Sequence, residues 1–521
     1  MRRTLTNTSA LLGVWAILVV LHAPLLKLPY FWDEAGYYVP AALDFFRHGL
    51  LIPASTLPTG HTPLVMVYLG LAWHVFGFSP VVTRTAMMLA AAATLLATAK
   101  LAQSVFQARA WATEAALASA GLLALAPLFF AQSSMAHLDL TVALYTTLAI
   151  LALLRGRWAG FGVASILAVL SKETAVILVP VAAVFLWRDA RRGTRPIPPA
   201  AWLALVSPCA ALAAWAIYYH HHTGFWTGNA GYLQYNLYST LNPVRIVLSF
   251  VRRVYEVFLS GFNGVVTTMA LAAAWWNRKQ AKAAQGPARA PAEERRFILL
   301  TALLVGAYLL MLSVVGGAIL PRYTLPVYPP LAVLALMYVG RLARRVARAC
   351  CILAAIFLVA GWFQNPPYPF PFEDNLAYAD FVQLHQQAAR YLSDSAAAGD
   401  PGAPGARILT AWPATNELST PDLGYVGAPL GVVPVEGFGA ADFRAVPPGS
   451  FDLLYLYSRK WEPPGNWLVC VPGLEGIEQR YFGYEPQVPA AALEEQFHLQ
   501  LVARWERRGQ WAAIYKRITH Q

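Results

Sequence analysis

The sequence predicts an α-helical polytopic membrane protein, with about eleven transmembrane helices plus interfacial helices and a small C-terminal extracytoplasmic α/β domain. Composition is the first observation behind this. Of 521 residues, 57% are hydrophobic and the mean hydropathy is +0.46, too apolar for a soluble chain of this length. Second, apolar runs of near-membrane length recur from 9–28 to 346–363. Third, the basic residues fall in short clusters between those runs: Arg155/Arg157, Arg188/Arg191/Arg192/Arg195, Arg278/Lys279/Lys282 with Arg295/Arg296, and Arg341/Arg344/Arg345/Arg348. Clusters so placed fix topology and touch anionic headgroups. The net charge of +12 is therefore explained by membrane lipids, with no nucleic-acid partner.

The first run, SALLGVWAILVVLHAPLLKL at 9–28, follows Arg2 and Arg3, which puts the N-terminus in the cytoplasm. No small-residue cleavage site follows it, so it is expected to be retained. The segment 62–77, bounded by Pro63 and Gly77 and carrying Trp73 and His74, reads as an outer interfacial helix. With that segment out of the bilayer, the basic clusters all fall in the cytoplasm and the C-terminal tail lies outside, in the periplasm of a bacterial inner (plasma) membrane. The domains expected are 1–364, transmembrane and catalytic, and 365–521, soluble. The linker is Pro-rich, QNPPYPFPF. Beyond it NLAYADFVQLHQQAARYLSD has helical spacing, while ARILTAW and FDLLYLYS read as buried strands. Cys209, Cys350 and Cys351 lie in apolar runs and Cys470 stands alone in the tail, so no structural disulfide or zinc cluster is expected.

This topology gathers the remaining ionisable residues on one face: Asp33 and Glu34 in FWDEAGYY, His61, His137 and Asp139, Ser171-Lys172-Glu173, and Arg322 with its neighbour Tyr323. Two adjacent carboxylates at the hydrocarbon boundary are costly without a task. Asp33 could cap the following helix, act as general base on a hydroxyl, or stabilise charge on a sugar ring. Asp139 opens a span, where a carboxylate also interacts well with a helix N-terminus. Glu34, His137 and Asp139 could together hold a divalent metal, although no metal motif joins them, and no cofactor is otherwise called for. Lys172, Arg322 and His61 are candidate cations. Arginine matches phosphate with paired hydrogen bonds and lysine supplies a point charge, although an arginine at a helix end often only snorkels. The aromatic loop HHHTGFWTGNAGYLQYNLY at 220–238 fits an interfacial belt or a stacking surface for sugar or lipid, and Arg252, Arg253 and Glu256 follow on a helix at the outer surface.

Taken in order, these motifs resemble those of the GT-C membrane glycosyltransferases related to protein O-mannosyltransferases and lipid A aminoarabinose transferases. They read DE at 33–34, GHTPL at 60–64, HLDL at 137–140, SKE at 171–173 and RYTLPVYPPL at 322–331. The resemblance covers about 10–365. It implies a transferase that takes a hexosyl or pentosyl group from a polyprenyl-phosphate-linked donor to a glycan, lipid or protein hydroxyl. By carry-over Asp33 is the catalytic carboxylate, Glu34 its neighbour and Asp139 a second acidic residue, while Arg322 and Lys172 face the donor phosphate. His61 departs from the lysine of the aminoarabinose transferases. A single displacement with inversion is expected. The rival readings are a lipid-linked sugar transporter or flippase, and a binding scaffold.

Overall fold

The computed structural model describes residues 2–191, 197–283, 291–366, 370–398, 405–447, 449–460, 473–483 and 485–518. Arg192, Arg195, Cys470, part of the Pro-rich linker and most of the polar loop at 282–294 lie outside them. Contacts divide the chain into two compact units, one of 1–23 with 44–364 and one of 24–43 with 365–521. The segment 24–43, which the sequence groups with the membrane domain, thus clusters with the C-terminal residues.

The first unit is helical. Four helices among the described residues are long and apolar enough to cross a membrane: Pro80–Val105, Pro199–Thr223, Ala292–Val314 and Arg344–Phe363. The pair Pro243–Phe258 and Asn263–Lys282, bent by 80°, would make a fifth if it is one span. Other expected crossings correspond to apolar helices of 10–17 residues, among them Ala112–Leu125, Asp139–Leu154 and Trp158–Ser171, and Leu64–Phe76, expected as an interfacial helix, is of the same short class. At 1.5 Å per residue such helices cover at most about 25 Å, short of a hydrocarbon core about 30 Å thick. Their ends explain the shortness. Trp158–Ser171 stops at Lys172, whose backbone is extended, and a 3-10 turn Glu173–Ile177 precedes Leu178–Arg191. Pro321 and Pro326 likewise hold Pro321–Val327 in a 3-10 stretch before Tyr328–Val339, since proline lacks the donor an α-helix needs. The long helix Pro80–Val105 starts cleanly, with Ser79 Oγ accepting from Val82 N and Pro80 in the first turn.

The second unit is α/β. A five-stranded sheet has the order β2-β1-β3-β5-β4, with β1 Arg407–Ala411, β2 Gly431–Val435, β3 Leu453–Tyr457, β4 Leu499–Arg507 and β5 Gln510–Arg517. β1, β2 and β3 are parallel, and β5 pairs antiparallel with β3 and β4. The strands read from ARILTAW and FDLLYLYS are β1 and β3. Every residue of β3 is buried, the pattern of a parallel strand covered on both faces. The helix Ala377–Ala398 packs against β4 and β5. From the segment 24–43 come a π-helical turn Glu34–Tyr38 and the helix Val39–His48 that continues it.

Candidate functional site

In the first unit the breaks between short helices bring polar side chains together. Asp139 opens Asp139–Leu154 and is 3% exposed. Its Oδ1 accepts from Lys172 Nζ at 2.8 Å, and its Oδ2 lies 3.4 Å from Arg322 Nε. Arg322 is wholly buried. Tyr323, beside it, turns its ring face to Lys172 Nζ, 3.8 Å from the centroid, with the Arg322 guanidinium at 5.4 Å, both within cation–π range.

His137 completes this group. Its Nδ1 is 2.7 Å from Gln132 Oε1, which can only accept, so that nitrogen is assigned the proton; Nε2 then accepts from Arg322 Nη1 at 3.2 Å. Burial first, and then the positive charges of Arg322, Lys172 and Arg84, hold the imidazole well below the usual histidine range. His137 is therefore a neutral acceptor. No three His, Cys, Asp or Glu side chains among the described residues come together as a metal-ligand set. Within the first unit His137 is committed to Arg322 and Asp139 to two cations.

His61 stands in a neighbouring cluster. Its Nδ1 is 3.0 Å from Glu173 Oε2, and its ring meets Tyr232 edge-on at 5.8 Å. Gly60, before it, has φ +76°, and a Cβ there would fall 2.2 Å from Gly228 N. Only glycine allows the 58–62 loop to approach the 224–229 loop so closely. Trp215 Nε1 and Tyr219 OH donate to the Gly60 and Pro58 carbonyls. Burial, and then the charge of Glu173, raise the Tyr232 phenol above its ordinary range, so it remains a neutral donor. Phe225, Trp226, Tyr235 and Tyr238 of the same loop are exposed, as an interfacial belt requires.

Two buried arginines were not among the sequence candidates. Arg84 lies in Pro80–Val105, wholly buried, and donates from Nη1 to the Ser134 carbonyl at 3.2 Å. Arg253 lies in Pro243–Phe258 and is also wholly buried. Its Nε donates to the Leu312 carbonyl at 3.1 Å and its Nη1 is 3.9 Å from Glu256 Oε2, but neither Nη1 nor Nη2 has a hydrogen-bond partner. An arginine near the start of an apolar run was the available signal for Arg84. Arg84, Arg253, Lys172 and Arg322 are all buried, Lys172 and Arg322 against Asp139 and Arg253 beside Glu256. A buried charge with unmet donors is costly, so the two Nη atoms of Arg253 favour an anion.

The acidic pair belongs to the second unit and divides its roles. Glu34 is fully buried and its Oε2 accepts from Phe31 N at 2.8 Å. Asp33, half-buried, makes no side-chain capping bond. The capping that the sequence offers to Asp33 is thus done in reverse by Glu34, and Asp33 retains access to solvent.

No protein-family model matches the sequence, and no curated protein matches it. Two crystal structures of ArnT from Cupriavidus metallidurans match in fold, each covering 98% of this chain and 97% of its own. The one bound to undecaprenyl phosphate has a TM-score of 0.54 at 16% identity, and the apo state 0.50 at 14%. The chain therefore shares the fold of these ArnT structures.

Proposed function

We propose that the protein is an integral-membrane glycosyltransferase that moves a sugar from a polyprenyl-phosphate donor to an acceptor hydroxyl, with inversion. The observation that carries this reading is the pair of buried Arg253 Nη atoms without hydrogen-bond partners, in the unit that also buries Lys172 and Arg322. A phosphate supplies the missing negative charge and the acceptor atoms. The fold supports the same reading, since an ArnT structure holds undecaprenyl phosphate.

In this mechanism the donor phosphate is held by Arg322, Lys172 and Arg253, with His61 at its margin. Asp139 orients Lys172 and Arg322, and Tyr323 shields them from competing water. Neutral His137 fixes the Arg322 guanidinium without adding charge. Asp33 takes the proton of the acceptor hydroxyl, and Glu34 holds the turn that presents it. The acceptor oxygen bonds to the anomeric carbon as the bond from that carbon to the phosphate oxygen breaks, and the polyprenyl phosphate leaves with the electron pair. Stabilising that leaving charge is the largest catalytic term. The apolar helices then make eleven crossings, with the N-terminus cytoplasmic and the reaction at the outer, periplasmic face.

The test is transfer from a panel of radiolabelled polyprenyl-phosphate sugars by the purified protein, with cell-envelope extract as acceptor, comparing wild type with Asp33→Asn. Turnover of one donor that the variant loses supports a transferase. Binding without cleavage by wild type overturns that reading in favour of a transporter or scaffold.

A further inference from the structure

We infer that the C-terminal unit is the positioning device for Asp33, acting through Trp412. The inference rests on the reading of Asp33 as the general base. The segment around Asp33 is enclosed by aromatic side chains of its own unit. The Trp412 ring stands edge-on to Trp32 at 5.1 Å and leans on Tyr37 at 5.7 Å, so it touches the residue before Asp33 and the turn after it. Between them, a Cβ on Gly36 would lie 2.6 Å from Trp412 ring atoms. Gly36 is thus the residue that lets the indole reach the turn. From the helix Ala377–Ala398, Tyr378 and Phe381 pack edge-on to Phe31 at 5.9 and 5.3 Å. Tyr425 OH donates to the Tyr30 carbonyl at 2.8 Å.

Both sides of this clamp are tied together beneath it. Trp412 precedes the short helix Ala414–Ser419, whose Glu417 meets His385 Nδ1 at 2.5 Å. His385 in turn stacks on Phe381 at 3.9 Å. Trp32 adopts φ +44°, an unfavourable conformation for a bulky residue. Such strain persists where the surroundings over-determine it, and here Trp412 and Phe381 bracket the indole while the Arg459 guanidinium lies 5.7 Å from its ring. The backbone before Asp33 is therefore set by the C-terminal unit and not by local sequence preference. Among the described residues this unit holds no metal-ligand group; its aromatic surface is built around the segment 30–38.

The test uses the full-length protein in nanodiscs and the variants Trp412→Ala, Gly36→Ala, Trp412→Phe, and Gly36→Ala with Trp412→Phe. Misplacing a reacting group by about 1 Å costs on the order of 10²-fold in rate. Trp412→Ala and Gly36→Ala are expected to lower kcat by about that factor with donor KM essentially unchanged, and to raise amide exchange over residues 30–38. Trp412→Phe makes room for the added methyl, so the double variant is expected to regain most of the kcat that Gly36→Ala loses. If Trp412→Ala does not fold, the two Gly36 variants decide the matter alone. Unchanged kcat in a folded Trp412→Ala, or a double variant no better than Gly36→Ala, overturns the inference. An inactive wild type overturns the transferase reading instead, and the exchange data still report whether Trp412 holds the segment.

Discussion

The polar centre of the first unit and the acidic segment of the second are both largely buried, but they are held by different forces. Around Asp139 the contacts are polar: Lys172 and Arg322 on one carboxylate and His137 on Arg322, with His61 on Glu173 beside Lys172. Around Asp33 they are aromatic, with Phe31, Trp32 and Tyr37 against Phe381 and Trp412, and Phe31 N donates to Glu34 Oε2. Buried guanidinium donors left open, as at Arg253, are suited to receive an anion, because the ligand completes them. An aromatic cradle is suited to hold a carboxylate in place, because it constrains the backbone on either side of it. In the proposed mechanism the difference separates binding from proton transfer, and each prediction attacks that separation.

The largest effect is expected from Asp33→Asn, which should lower turnover by about 10²–10⁴-fold, the range of a lost general base, in a donor-transfer assay. Retained turnover would break the comparison on the side of the second unit. Arg322→Ala should lower turnover by about 10²–10³-fold, as removal of a preorganised electrostatic partner does. Arg322→Lys should not restore it, because an ammonium cannot reproduce the fork that meets both Asp139 and His137.

Asp139→Asn sharpens the comparison through stability. It leaves Lys172 and Arg322 buried without their carboxylate, a loss of about 3–5 kcal/mol measurable as a lower Tm. Added polyprenyl phosphate should raise the variant's Tm by more than it raises that of wild type, since the anion substitutes for the missing charge. An equal rise in both would place the phosphate elsewhere.

The smallest effect is one of pH. The folded-state pKa of His137 is depressed, so below about pH 6.5 the unfolded chain takes up a proton that the folded protein refuses. Stability contributed by neutral His137 is thus present above that pH and falls as the pH drops, by at most about 1.4 kcal/mol per unit. His137→Gln should flatten this acid limb of the Tm–pH curve, and an unchanged limb would assign it to other groups.

Much of the first unit's centre was legible in the sequence because membrane energetics make an ionisable residue near an apolar run conspicuous. His61, His137, Asp139, Lys172 and Arg322 all stood out this way. Arg84 did not, since it falls just inside a run and reads as part of a helix. Arg253 was visible only as an outer basic residue, because its burial depends on packing of Pro243–Phe258 against Ala292–Val314. The roles of Asp33 and Glu34 could not be separated from two adjacent letters; the π-helical turn decides which carboxylate faces inward. The clustering of 24–43 with the C-terminal unit left no local trace, since it rests on aromatic contacts between segments remote in sequence. The count of crossings was obscured by the very breaks that carry Lys172 and Arg322, which shorten the helices around them.

The central claim is that the cations bind the phosphate while Asp33 does chemistry. Equilibrium binding of polyprenyl phosphate to purified wild type, Asp33→Asn and Arg322→Ala tests it most directly. The account predicts equal affinity for wild type and Asp33→Asn, and at least about tenfold weaker binding by Arg322→Ala, the loss of one charge-assisted hydrogen bond. Weakened binding in Asp33→Asn with unchanged binding in Arg322→Ala would contradict it.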